Sequence, residues 1–562
     1  MPIVLQSSFI PRPAGAQQPT PPVVGGGGGG GGSPPDWDAM YTTELAAARS
    51  GGATTRYVDP SNSLGTASDA NTGTSRSLPK LTMVNAINAM AAGDELIVIG
   101  NGVTISNSAS NVITKGTGAS GAAAPNGSSY TAMTIIRAET PYGVTFKHET
   151  TGDIFNVGVC NMSGSYLWVD GINFHVENFA EEACLYLTGT NNRLTRCLYR
   201  SYGAAGGYSE YKQPINAAGS NNLVQDVALV GVMRYGVYTG NGGSGSNSLQ
   251  NVFRRVVARC DGYDASGTSG QPQAVFACYG DNSSGTAVGQ MHYHNCIAID
   301  SIRASTASGN ADSYTWGAWY NPKITFGNVY RGCIALNCET SRGGFMIQDN
   351  LGGTNPTMTD CVAWDIKFAT IGNGSAQGAL SSNSGTSGTW NRLTLGNYSG
   401  GLSGFDAASG AMTNTMFSDY SGLQAQSGAP SSTAYCTFQD GDASGTNQVT
   451  FNQSFEWITR TPFTTQGSAS DRVGANIEKA WGAHCTNYGQ TGYDTEQAYQ
   501  LWPFPYESEI KTFFSAATGS GTSTRGFCTG TSVDGSSQSL TRYIWEYEIK
   551  GVQAQIPSGI YP

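Results

Sequence analysis

The sequence predicts an all-β chain wound into stacked parallel coils, capped by a helix at its start and followed by a C-terminal accessory domain. Three observations predict it. The phrase Cys-apolar-Ala-apolar-Asp/Asn recurs at Cys296–Asp300, Cys333–Asn337 and Cys361–Asp365, as rungs do when like residues sit on like. Within these phrases Ile297 and Ile299, Ile334 and Leu336, and Val362 and Trp364 alternate with Ala298, Ala335 and Ala363, which is the period of a strand. Gly accounts for 76 of 562 residues and charged residues for only 12%, the composition of a turn-rich chain with little ionic surface.

Residues 1–36 carry an apolar tip, Met1–Ile10, then Pro11, Pro13, Pro19, Pro21 and Pro22, then the glycine run Gly25–Gly32. Neither helix nor strand persists in such a tract, so a flexible anchor and linker is expected. Across 37–129, Leu81, Val84, Ala86, Ile87 and Met90 form a helical stripe that ends at Gly93 and Asp94, and Glu95–Gly100 reads as a buried strand. A capping helix thus leads into the first coils. Residues 130–455 supply the stack, with further rungs at Tyr166–His175, Asn191–Arg200, Asn221–Val230 and Asn251–Cys260. Aligning Cys197, Cys260, Cys296, Cys333 and Cys361 gives final steps of 37 and 28 residues, the variable period of fixed strands joined by free loops. A second strand follows in Tyr235–Gly240, Ala274–Gly280, Trp316–Asn321 and Gly344–Asp349. Past Phe451 the rung pattern fades, and 456–562 reads as the C-terminal domain.

Two stretches resemble proteins of known type. Val58, Asn71-Thr72-Gly73-Thr74, Pro79, Leu81 and Gly93-Asp94 resemble the opening segment of right-handed parallel β-helix proteins of the pectate-lyase-like type. Leu501-Trp502-Pro503-Phe504-Pro505-Tyr506-Glu507, with Leu540-Thr541 and Tyr543-Ile544-Trp545-Glu546-Tyr547, resembles the tail of bacterial and phage β-helix proteins. The resemblance implies a right-handed parallel β-helix. It says little of chemistry, because that fold hosts lyases, hydrolases and adhesive spikes.

Lys and Arg number 29 against 39 Asp and Glu, a net charge of −10 without a basic block. Nucleic acid and membrane surfaces are therefore poor partners. No apolar run is long enough to span a bilayer, and the first residues lack the pattern of a secretory signal, so folding in a cytoplasm is expected. Twelve Cys without CxxC or Cys/His spacing argue for reduced, buried thiols rather than zinc or disulfides. No cofactor is expected.

Four residues after each aligned Cys lie Asp264, Asp300, Asn337 and Asp365. Carboxylates held about 5 Å apart raise one another's pKa, so Asp300 and Asp365 are candidate catalytic residues of a glycan hydrolase. The same column also reads as a turn ladder, in which Asp and Asn satisfy backbone amides in left-handed geometry. A lyase would instead use Asp349, Asp360 and Asp365 around calcium, with Arg342 or Lys367 as base. Tyr314, Trp316, Trp319 and Tyr320 are candidate sugar-binding residues, since aromatic faces suit the C–H faces of pyranose rings. Alternation sets Trp316 and Tyr320 on one side and Trp319 on the other, so at least one is expected in the core. His292 and His294 share a strand face but lack a third ligand nearby, so a surface pair is expected.

Anchor, spacer, capped β-helix and C-terminal domain together point to a bacteriophage virion spike or fibre. Its expected partners are other virion proteins, through the N-terminal peptide, and host surface glycan, and the resemblance implies a homotrimer. A non-catalytic decoration or adhesion protein and a secreted polysaccharide lyase stand beside this reading, and whether glycan is cleaved is left open.

Overall fold

The computed structural model describes residues 34–106, 113, 122–148, 160–177, 185–202, 213–233, 235–240, 250–261, 274–279, 290–301, 317–323, 327–340, 343–347, 355–368, 378–382, 387–398, 403–406, 409–420, 432–434, 436, 474–515, 526–532 and 534–547. Strand periodicity becomes three stacked sheets, of thirteen, eleven and nine strands. A complete coil contributes one strand to each. His292–His294, Ile297–Ile299 and Gly317–Lys323 form one coil, and Val329–Arg331, Ile334–Thr340 and Phe345–Ile347 the next. Successive coils pair in parallel and in register, His292 on Val329, Ile297 on Ile334 and Trp319 on Phe345. The chain is a right-handed parallel β-helix, and its stack already begins at Thr55–Val58.

The corner between the first and second sheets explains why the repeats begin as they do. One residue per coil turns the chain there in left-handed conformation: Arg196, Asp226, Arg255, Asn295, Gly332, Asp360, Arg392 and Asn414, with φ between 48° and 63°. Non-glycine residues rarely adopt this geometry unless something holds them. Here ion pairs between adjacent rungs do, Arg196 to Asp170 at 2.5 Å, Arg255 to Asp226 at 2.5 Å and Arg392 to Asp360 at 2.7 Å.

The residue after the corner points inward. Cys197, Cys296, Cys333 and Cys361 occupy this place, fully buried and unpaired as disulfides. Cys260 does not, contrary to the alignment above. Val256 follows the corner residue Arg255 and holds the slot, so Cys260 falls four residues later in its strand. Aromatic stacks fill the rest of the interior, Phe253–Tyr293–Tyr330 at 5.2 and 5.3 Å and Phe276–Trp319–Phe345 at 4.7 and 4.6 Å. The Asn that opens several rungs forms a ladder: Asn192, Asn222 and Asn251 each accept, through Oδ1, a backbone N–H of the coil before, at 2.8–3.0 Å. Such a column satisfies buried backbone donors at the corner where pairing lapses.

Helix α1 (Trp37–Ala47) was not anticipated by the stripe analysis; Asp36 caps it, accepting from the Ala39 N–H at 3.0 Å, and Tyr41 is its buried residue. Helix α2 (Met83–Asn88), capped by Thr82, buries Met83, Ala86 and Ile87 at the start of the interior core. At the other end the chain turns back. Gly474 bonds to Asn414, Ala475 to Thr394, Asn476 to Asp360, Trp481 to Asn295, Cys485 to Gln225 and Asn487 to Asn192. Residues 474–487 thus form a strap descending the corner from its last described coils toward its first. Helices α3 (Glu507–Ser515) and α4 (Leu540–Glu546) and the 3-10 turn Gly526–Cys528 then cover the outward face of the second sheet, packing with Leu198, Val230, Ile299, Leu336 and Trp364. Among the described residues no helix is long and apolar enough to cross a membrane.

Candidate functional site

Asp300, Asn337 and Asp365 stack in one column of the second sheet, each at φ 51°. Asn337 Nδ2 donates to Asp300 Oδ1 at 2.7 Å, and Asp300 is fully buried. The C-terminal segment roofs the column. Tyr543 donates its hydroxyl to Asp300 Oδ1 at 2.6 Å, and Tyr547 donates to Asp365. Gly526, at φ 57°, lies so close that a Cβ there would sit 1.7 Å from Asp300 Oδ2. These carboxylates are therefore bonded to tyrosine hydroxyls in the place where a glycan would have to enter. Asp264 lies outside the described residues, and the shifted Cys260 alignment removes the reason for placing it in this column.

The lyase set is not brought together either. Asp360 is a corner residue, fully buried, that accepts from Arg392 at 2.7 and 2.8 Å and from the Asn476 N–H at 2.8 Å. Asp349 and Arg342, and the side chain of Lys367, lie outside the described residues. A cavity of about 340 Å³ between α3 and the second sheet, lined by Tyr142, Asn173, Leu198, Glu509 and Phe513, contains one carboxylate and no partner acid for it.

Of the aromatic segment, Tyr314 and Trp316 lie outside the described residues, as does the side chain of Tyr320. Trp319 points inward, 1% exposed, between Phe276 and Phe345; as part of the core it cannot serve as a platform for sugar. Tyr320 stands in the neighbouring register column of the third sheet. That column runs Tyr186, Asn216, Tyr238, Ala277, Tyr320 and Met346 from coil to coil. Tyr238 stacks on Tyr235 at 5.3 Å, and both belong with Ala274, Ala277 and Met346 to a cluster separate from the interior core. Among the described residues, the terminal segments cluster with residues of the first two sheets.

The outward face of the first sheet holds a group of bonded, buried polar residues. Tyr41 from α1 donates to Asp226 Oδ2 at 2.6 Å, while Arg255 reaches both oxygens of Asp226 at 2.5 and 2.8 Å. His484 from the strap offers Nδ1 to Gln225 Nε2 at 3.2 Å. Burial works against charge on Asp226, and Arg255 overrides it, holding the carboxyl below its ordinary value. Burial, reinforced by Arg255, lowers His484 to about 3.

On the coil that follows Arg254 and Arg255, the expected surface pair proves to be buried. His292 and His294 are 1% and 0% exposed, and Asp494 of the C-terminal segment closes over them. His294 Nε2 lies 2.9 Å from Asp494 Oδ1, and the rings of Tyr488 and Tyr493 flank His292 at 5.1 and 5.3 Å. Burial lowers His292 to about 3 and His294 to about 4. Burial opposes the charge on Asp494 as well, but His294 and Arg331 hold it at about 2. The His-x-His spacing signalled this site in the sequence; its third member, 200 residues later, carried no local signal.

No protein-family model and no curated protein matches the chain. Similar solved structures include an alginate lyase from Paenibacillus sp. str. FPU-7, 12% identical over 67% of this chain and 98% of that one, with a TM-score of 0.36. A PL6 family polysaccharide lyase from Pseudopedobacter saltans is 12% identical over 62% and 80% of the two chains, with a TM-score of 0.42. A pectate lyase is 14% identical over 77% and 99%, with a TM-score of 0.39. These likenesses concern coil architecture alone.

Proposed function

We propose that this chain is a bacteriophage virion spike or fibre that holds host surface polysaccharide on the outward face of its third sheet. One observation carries the reading: the described terminal segments pack on the first two sheets, while one register column of the third sheet places a tyrosine, Tyr186, Tyr238 and Tyr320, at every second coil. Coils stack about 4.8 Å apart, so these positions recur at about 9.6 Å. Sugar units along a chain could then meet alternate rungs, with aromatic faces receiving C–H faces and Asn216 between them offering hydrogen bonds. Tyr238 is 8% exposed while Tyr186 is half-buried, so of these two Tyr186 is the principal contact, and Tyr320 holds the same register position two coils beyond Tyr238. In this reading the apolar tip and Pro/Gly tract of residues 1–36 attach the protein to other virion proteins, and three copies assemble. Binding without cleavage is the form favoured, because Tyr543 and Tyr547 occupy Asp300 and Asp365.

The test is retention of purified protein on immobilised host capsule or lipopolysaccharide, with Tyr186→Ala and Tyr320→Ala beside the parent. Each substitution should weaken retention about tenfold, the loss of one stacking contact of about 1.4 kcal/mol. No retention, or retention unchanged in both variants, refutes the third-sheet reading. Shortening of the glycan refutes binding without cleavage.

A further inference from the structure

We propose that His292, His294 and Asp494 bind a first-row divalent transition ion, zinc foremost, which fastens the C-terminal segment to the first sheet. Residues two apart on a strand project from the same face, so His292 and His294 both face outward, where Asp494 meets them. Their ligand atoms lie within 4.8 Å of one another. Ligands about 2.1 Å from a tetrahedral ion stand about 3.4 Å apart, so modest side-chain rotations close the site. Two imidazoles and a carboxylate suit zinc and its neighbours, whereas calcium and magnesium take all-oxygen sites.

A second observation points independently to a ligand. Both ring nitrogens of His292 lack a hydrogen-bond partner although the residue is 1% exposed. Its neighbours in the column above and below are Val329 and Val252, and tyrosine rings cover it. A buried polar group without a partner costs about 1–3 kcal/mol, and such groups are rare enough to need an explanation. The approach of His294 Nε2 to Asp494 Oδ1 likewise has the distance of an ion pair without the angles of a hydrogen bond. An ion between the three residues would take up one ring nitrogen of each histidine and the carboxylate together. Arg331, 3.4 Å from Asp494 Oδ1, is the competing cation; its side chain is 22% exposed, with a path to solvent once the ion takes the carboxylate.

The experiment strips the full chain with chelator and titrates it with cobalt(II), then zinc(II). The expected result is one cobalt per chain with visible ligand-field bands and no near-ultraviolet thiolate band, displacement by zinc, and a higher melting temperature with either ion. His292→Asn and Asp494→Asn should each lower the affinity by at least about 100-fold, since loss of even an outer partner costs about 10–100-fold. Far-ultraviolet circular dichroism and melting without metal confirm that the variants fold. Uptake with a thiolate band assigns the metal to cysteine and overturns the proposal. Absence of uptake, or uptake unchanged in both variants, overturns it equally.

Discussion

Replacing Asp226 by Asn tests how firmly the chain's two ends are locked to its coils. Asn tolerates the left-handed conformation that Asp226 adopts at φ 54°, so the corner survives and the charge alone is lost. Arg255 is then a cation with 0% side-chain exposure and no counter-ion at 2.5 Å. Breaking a buried pair by removing one partner costs about 3–5 kcal/mol. The Tyr41 hydroxyl also loses an ionised acceptor. Urea unfolding followed by tryptophan fluorescence should show this loss, with unfolding rates compared where refolding is incomplete. Asp226→Asn combined with Arg255→Met should recover most of it, because an apolar replacement of the whole pair avoids the stranded charge. A loss under about 1 kcal/mol in the single variant, or no recovery in the double, refutes the argument. Arg255 holds the Asp226 carboxyl below its unfolded value, so its contribution is present in full above about pH 4 and fades as pH falls lower.

Three further outcomes follow from the same contacts. His484, held near 3 in the folded chain against about 6.5 unfolded, should make stability fall from about pH 6.5 downward by up to about 1.4 kcal/mol per pH unit; urea midpoints from pH 7 to 5 should have a shallower slope in His484→Gln, with His292 and His294 supplying the remainder, and an unchanged slope would remove His484 from the account. Deleting residues 1–33 should leave melting unaltered, while deleting 1–48 should lower it, since only the longer cut removes the Tyr41 bond to Asp226 and Trp37 from the Arg255 guanidinium, 4.5 Å away; equal melting of the two truncations would contradict this. Tyr543→Phe should cost about 1.5–3 kcal/mol, as loss of a hydrogen bond to a charged group, and Asp300→Asn and Asp365→Asn should leave glycan retention intact; weakened retention in either would return the column to the binding site.

The coils were legible because their signals are local. Ile297, Ala298 and Ile299 reveal a strand face within three residues, and the Cys after four of the corners marks the register. The reading slipped at Asn251–Cys260, where Val256 replaces Cys and an accidental Cys260 lies in the same phrase. That slot holds Cys, Val, Leu or Thr in different coils, so the identity of the residue was a weaker guide than its distance from the corner. The return of the C-terminal segment was not legible at all. Its contacts join Gln225 to Cys485 and His294 to Asp494, and no short-range pattern encodes such pairs.

The same return accounts for a feature that a bare solenoid would not tolerate. Arg254, Arg255 and Arg259 are each 0% exposed although they belong to coils whose outward residues would normally be wet. An irregular strap lying on a sheet has backbone groups that no strand can satisfy, and each must find a side chain instead. Arg254 accordingly donates to the carbonyls of Thr486 and Tyr493, Asn295 both donates to Lys479 and accepts from Trp481, and Asp360 accepts from Asn476. Gly482, at φ 77°, lets the strap pass where a Cβ would strike the Arg254 guanidinium at 2.4 Å. These outward polar residues are therefore the seat of the strap. Apolar substitutions there, harmless on an exposed strand, would strand its backbone and loosen both ends of the chain from the coils.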